Sequence, residues 1–287
     1  MFNMTDRKYD KKTLRNVLIF SLVVLSCGWV GRLVDLKVGT DANGSLGQLI
    51  WLVLPLLTTI ILRSFMGDGW RDLGIELKFR GNLFPYFISI LFIPVITVII
   101  VLIGHNLKLI DTSNFSSSFL LAFSLALLPM FFKNIFEEFA WRGYLAPKLF
   151  SMGINRFLCH ICVGVIWALW HIPYLLVLVD TAESLLTYIP RVMIGLVILS
   201  VVYGEIRYVT NSVWPAVILH TIANALVDTL ILKKYLDVRE GYEYLVTPSP
   251  EGVFTIVITA VVGLWLYKKK APDPTYGEAI KSVRIRS

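Results

Sequence analysis

Long apolar segments constrain the fold of this chain more than any other feature of its sequence. Of 287 residues, 56% are hydrophobic and 16% are charged, whereas a typical soluble domain is about 25% charged. A helix needs about 20 predominantly apolar residues to cross a bilayer. Eight segments come near this length, at about 14–34, 46–65, 83–104, 118–140, 158–179, 186–206, 213–232 and 252–267. We therefore expect an all-α, polytopic membrane helix bundle of about eight transmembrane helices.

Basic residues predict how this bundle is oriented. Lys and Arg concentrate in the two tails and in the connections after the second, fourth and sixth predicted spans. Because basic loops favour the cytoplasmic side, we expect both termini in the cytoplasm. Tails at 1–13 and 271–287 would flank one integral membrane domain at 14–270. With no eukaryotic retention signal, we expect a multi-pass protein of a bacterial plasma membrane. The net charge of +7 is spread over separate loops, so the expected partner is the lipid bilayer and not nucleic acid.

Two segments between or within the spans predict irregular structure. Residues 66–82 mix charges with large apolar side chains, a pattern typical of an interfacial segment on the inner leaflet. Pro129 lies inside the fourth span, where it removes a backbone donor and predicts a kinked or loosened helix.

Three ionisable residues interrupt one of the most apolar stretches of the chain, namely Glu137, Glu138 and Arg142. A charge at the bilayer centre costs about 2.5–3.5 kcal/mol even on the most lenient scale, so such a cluster indicates a functional site. Residues four apart share a helix face, which predicts an ion pair between Glu138 and Arg142. Glu137 points about 100° away on a helix of 3.6 residues per turn and is free for a different role.

Two later spans each carry a histidine with a helical neighbour four residues away. Trp167 and His171 share one face of the fifth span, and His220 and Asn224 share one face of the seventh. Each pair alone has a purely structural interpretation, since polar residues also link membrane helices through hydrogen bonds. Their occurrence on separate spans, together with Glu137, favours a shared site. We expect Trp167 to serve packing.

These residue types suit hydrolysis inside a membrane. Peptide cleavage needs a water molecule, a base that activates it and donors for the oxyanion. A carboxylate and a histidine can activate the water between them. Alternatively, Glu137, His171 and His220 can bind a divalent metal ion, zinc if any, that makes bound water more acidic. The sequence lacks both the HExxH zinc motif and the GxSxG elbow. The residues alone leave both routes open.

The three patterns together resemble the CAAX protease and bacteriocin-processing family of intramembrane proteases, also called the Abi family, which includes type II CAAX prenyl endopeptidases. Its EExxxR motif is matched at 137–142, and its HxxxN motif at 220–224. Its aromatic-xxx-His motif, usually FxxxH, reads Trp167 to His171 here. The resemblance covers about residues 118–228. Trp in place of Phe is a departure that we expect to affect packing more than chemistry.

This resemblance implies an intramembrane endopeptidase that acts on a membrane-associated protein or peptide. Glu137 and His171 would position and activate the attacking water. His220 and Asn224 would stabilise the oxyanion, or His220 would join a metal site. The ion pair of the first motif would hold its helix in shape. Family members include CAAX-processing, bacteriocin-processing and immunity proteins, and the resemblance does not select among them.

Two other functions compete with the protease. One is a non-catalytic membrane partner or bacteriocin immunity protein that keeps the fold; loss of a motif residue would favour it, but all the expected polar groups are present. The other is a transporter that uses the buried Glu and His for protons or metal ions. Transporters often show two related halves with broken helices in matching places, and the sequence shows no such symmetry.

Overall fold

The computed structural model describes residues 11–179 and 181–269, and this part of the chain is a bundle of helices. In chain order the helices are α1 (Lys11–Val38), α2 (Leu46–Phe65), α3 (Leu83–Asn106), α4 (Ser118–Ala140), α5 (Ala146–Ser151), α6 (Arg156–Leu178), α7 (Leu185–Thr210), α8 (Trp214–Leu232), α9 (Glu243–Val246) and α10 (Val253–Lys268). Two short strands, β1 (Ile110–Asp111) and β2 (Asp237–Val238), pair antiparallel and join two connecting loops.

The predicted all-α, polytopic bundle is confirmed. Among the described residues, seven helices are long and apolar enough to cross a membrane by length and composition, with α4 and its continuation to Ser151 counted as one. The predicted eighth span corresponds to α10, an apolar helix of 16 residues. Helix α1 begins at Lys11, before the apolar segment starts. The two predicted tails, apart from residues 11–13, lie outside the described residues.

Helix packing centres on α4, α6, α7 and α8. Helix α4 lies against α2 and α8, α7 lies between α6 and α10, and α3 packs on α8. Small residues let backbones approach closely where helices meet. A Cβ added at Gly47 of α2 would lie 2.0 Å from the carbonyl oxygen of Gly31 in α1. Large apolar side chains also cover the outer surface, including Leu22, Val98 and Leu121, as a lipid-facing surface requires.

The fourth span contains an irregular turn, and this turn follows Pro129 by more than ten residues. Helix α4 runs through Pro129 to Ala140 without a break. The following five residues, Trp141–Leu145, form a π-helical turn that leads directly into α5. Such π turns are rare and are frequent at functional sites. This one follows immediately after the glutamate pair, so the change of helical pitch lies beside the predicted site.

The connection between α2 and α3 is fixed to the bundle. Leu73 is buried against Phe139 and Val213. The Asp72 carboxylate forms ion pairs with Arg63 at 2.6 Å and with Lys148 at 2.9 Å. Burial alone would raise the pKa of Asp72, but these two cations hold the pKa below its usual value. The predicted interfacial segment therefore includes buried anchor points.

Candidate functional site

Glu138 lies at the centre of a buried ionic network. Its Oε1 atom accepts hydrogen bonds from Arg142 Nη1 at 3.1 Å and from His220 Nδ1 at 2.8 Å. Arg142 also donates to Ser200 Oγ at 3.1 Å, and its guanidinium lies over the Tyr203 ring at 4.7 Å. A buried ion pair is tolerated only when additional hydrogen bonds offset desolvation. The predicted ion pair is present, and it joins α4 to α7 and α8.

Glu137 faces a different direction from its neighbour, as the helical geometry predicts. Its Oε2 atom accepts a hydrogen bond from Trp167 Nε1 at 3.0 Å, and the residue is 2% exposed. Among the described residues, Trp167 is the one hydrogen-bond donor to the Glu137 side chain. The other carboxylate oxygen, Oε1, is therefore available to a ligand. Trp167 was expected to serve packing, and the structure adds a direct polar contact with Glu137.

In both histidines, the ring nitrogen Nδ1 contacts a protein oxygen and Nε2 is left for the cavity. His171 Nδ1 lies 2.8 Å from the carbonyl oxygen of Trp167, and a carbonyl can only accept, so Nδ1 carries the proton. The Glu138 oxygen that contacts His220 Nδ1 also accepts from Arg142, so we assign the same tautomer to His220. In the neutral rings, Nε2 of each histidine therefore keeps its lone pair. Both ring centroids lie 5.5 Å from the Trp167 ring centroid, so the two imidazoles converge on one indole.

Asn224 is held by a residue that the sequence analysis missed. Its Nδ2 atom donates to Asn134 Oδ1 at 3.1 Å, and Asn134 is fully buried. An amide nitrogen carries two protons, so one remains for a ligand. Asn134 precedes Glu138 by four residues and shares its helix face, and this spacing was the signal that could have identified it.

A cavity of about 270 Å³ connects these groups, close to the lower end of the range for ligand pockets. The four predicted catalytic residues line it together with two aromatic side chains: Glu137, His171, His220, Asn224, Trp167 and Tyr203. The structure thus brings the four predicted residues together from three separate helices.

Two further charged side chains line the same cavity. Lys133 lies one helical turn before Glu137, and Asp228 lies one turn after Asn224. The loop residues Pro248 and Glu251 border the cavity as well. Arg191, another basic residue of the predicted spans, is not among the residues that line the cavity and forms an ion pair with Glu183. The cavity therefore continues beyond the predicted catalytic groups into a second, charged region.

A metal site needs three or more ligand side chains placed around one point. Among residues 11–179 and 181–269, no group of three or more His, Cys, Asp or Glu side chains is placed to hold a metal ion. Glu137, His171 and His220 share the cavity without forming such a group in this arrangement. Metal binding by these three side chains therefore stays an untested alternative.

Comparison with known proteins agrees with the motifs. Residues 118–226 match the family model described as type II CAAX prenyl endopeptidase Rce1-like. This range runs from the start of α4 into α8 and includes every residue of the three motifs. No curated protein matches the chain. The match confirms the resemblance to the CAAX protease family.

Proposed function

We propose that the protein is an intramembrane endopeptidase that hydrolyses a peptide bond in a membrane-associated protein or peptide. The observation that carries this proposal is the convergence of Glu137, His171 and His220 around the Trp167 indole in one cavity. The match of residues 118–226 to a CAAX prenyl endopeptidase family model supports the same reaction class. The Glu137 carboxylate and the His171 imidazole, with its free Nε2, can accept and return protons.

Water activation falls to Glu137 and His171 in this proposal. A water molecule in the cavity would donate hydrogen bonds to the free oxygen of Glu137 and to Nε2 of His171. Glu137 accepts one proton as the water oxygen attacks the scissile carbonyl carbon. The carbon–nitrogen bond then breaks, and the proton passes to the leaving nitrogen. The products are a new carboxyl group and a new amine, and both bases are ready for the next cycle.

Oxyanion stabilisation falls to His220 and Asn224. For this role His220 first takes up a proton from solvent on Nε2 and returns it after the products leave; the imidazolium then donates from both nitrogens, one of them to Glu138. The Glu138 carboxylate stabilises that cation, so the second N–H is available to the oxyanion. The remaining proton of the Asn224 amide supplies another donor. Loss of one oxyanion donor typically lowers kcat by about 10²–10³.

The distribution of basic residues supports a proposal for the membrane location and orientation of the protein. We propose a plasma-membrane location with both termini in the cytoplasm, as the distribution of basic residues predicts. CAAX-like processing, bacteriocin processing and processing of signalling peptides share the chemistry described above. A metal-dependent variant would use the same three side chains after rearrangement, and a chelator separates it from the side-chain route.

The experiment uses purified protein in liposomes with a peptide library that includes lipidated peptides. Cleavage products are identified by mass spectrometry for the wild type, Glu137→Ala and His171→Ala. We expect cleavage by the wild type and loss of cleavage in both variants. Unchanged cleavage in variants that remain folded would contradict the assigned site. No cleavage by any form would favour the non-catalytic partner.

A further inference from the structure

Trp167 contacts more of the candidate site than any other side chain described above. Its indole N–H donates to Glu137, and its backbone carbonyl accepts from His171. Its ring lies edge-on to both histidines and 4.7 Å from the Arg142 guanidinium carbon. Helix α6 therefore holds the carboxylate and both imidazoles through one residue.

The polar contact is specific to tryptophan at this position. Phenylalanine, the usual residue in the motif, could supply the apolar ring but has no N–H donor. A hydrogen bond on Oε2 fixes the rotation of the Glu137 carboxylate and leaves the other oxygen for the cavity. A charge-assisted hydrogen bond of this kind is among the stronger hydrogen bonds in proteins.

Burial alone does not impose this hydrogen bond. Trp141 and Trp170 are as deeply buried as Trp167. The Trp141 indole nitrogen has no hydrogen-bond partner among the described residues, and the Trp170 indole contacts the Cys27 thiol. Neither of these two neighbouring buried indoles donates to a carboxylate, and the Trp141 indole serves packing without a polar contact. The third directs its N–H at the carboxylate that faces the cavity.

We propose that Trp167 is a positioning residue that orients Glu137 for water activation through its indole N–H. This inference rests on the proposed function, because it assigns Trp167 a role through the proposed base. It differs from a packing role in one respect: removal of the N–H alone, with the ring retained, lowers activity.

The first experiment measures the contact without any activity assay. Melting midpoints are compared for Trp167→Phe in the wild-type and Glu137→Ala backgrounds, with Trp141→Phe as a control for loss of a buried indole. We expect the shift caused by Trp167→Phe to be smaller in the Glu137→Ala background, because the partner is already absent. The shift caused by Trp141→Phe should be equal in both. Equal shifts for Trp167→Phe would overturn the proposal.

The second experiment measures the consequence for catalysis. Trp167 is replaced by 3-benzothienylalanine, in which sulfur takes the place of the indole N–H and the ring shape is kept. We expect kcat to fall about tenfold or more, the range for a hydrogen bond to a charged group, with KM unchanged. The same loss should occur in Trp167→Phe and not in Trp141→Phe. Wild-type kcat in the benzothienyl variant would overturn the proposal.

The two experiments separate failure of this inference from failure of the proposed function. An inactive wild type would contradict the proposed protease activity. The melting midpoints would then still test the hydrogen bond between Trp167 and Glu137. An active wild type that loses cleavage in Glu137→Ala, but not in the benzothienyl variant, would support the protease and refute the positioning role.

Discussion

Neighbouring glutamates with opposite roles give the sharpest prediction. Glu138 is fully buried between Arg142 and His220, whereas Glu137 faces the cavity and accepts one hydrogen bond from Trp167. We therefore expect Glu138→Gln to destabilise the fold and Glu137→Gln to abolish cleavage at nearly unchanged stability. The two substitutions are chemically identical and adjacent in sequence, so each serves as the matched control for the other.

The magnitudes follow from the contacts that each substitution removes. Glu138→Gln leaves Arg142 as a buried charge without its counter-ion, and breaking such a pair costs about 3–5 kcal/mol. Near the melting midpoint, 1 kcal/mol corresponds to about 2–4 °C for a chain of 150–250 residues, which gives a decrease of roughly 6–20 °C. In Glu137→Gln the amide oxygen still accepts from Trp167, so we expect a change below about 1 kcal/mol.

A thiol-reactive dye provides the assay in detergent. Cys27 and Cys159 are free and buried, so unfolding exposes thiols that react with the dye. Cleavage of the same preparations is measured in parallel. Equal melting midpoints for the two variants, or a Glu138→Gln protein that melts like the wild type, would refute this division of roles.

Three further predictions concern the loop over the cavity, the metal and acid stability. Gly195→Ala places a Cβ 1.8 Å from the carbonyl oxygen of Pro250, so we expect a lower melting midpoint and reduced cleavage; wild-type behaviour in both assays would contradict the packing. Cleavage should persist in a chelator, whereas loss that zinc restores would establish the metal route. Because Arg63 and Lys148 lower the pKa of Asp72, its stabilisation is complete above the ordinary aspartate pKa of about 3.9 and is lost as pH falls below it. Between pH 7 and pH 3, the melting midpoint should therefore fall less steeply in Asp72→Asn than in the wild type. An equal fall in both proteins would count against this ion pair.

The bundle could be predicted from sequence because apolar length alone determines a membrane span. The second predicted span, 46–65, coincides with α2, and the seventh ends with α8 at Leu232. The π turn at Trp141–Leu145 could not be predicted, because hydrophobic pattern does not distinguish helical pitch over five residues. Pro129 does not end the helix, since α4 continues through it to Ala140, and the kink that it predicts stays a prediction.

Side-chain contacts within one helix of the site could be predicted from the sequence, whereas contacts between helices could not. Spacing by four residues identifies the ion pair of Glu138 with Arg142, because both lie on one helix. The bonds from His220 to Glu138 and from Trp167 to Glu137 join different helices, so they depend on packing that the sequence does not display. Sequence analysis consequently assigned Glu138 to support alone, whereas the structure shows it in direct contact with a predicted catalytic histidine.

The most direct test of the central claim is the cleavage rate of Glu137→Gln in liposomes, relative to the wild type and to Glu183→Gln. Glu183 lies outside the cavity in the connection before α7 and carries an ion pair of its own. We predict that Glu137→Gln loses cleavage while Glu183→Gln retains it and both variants remain folded. Cleavage by folded Glu137→Gln at the wild-type rate would contradict the assignment of Glu137 as the base that activates water.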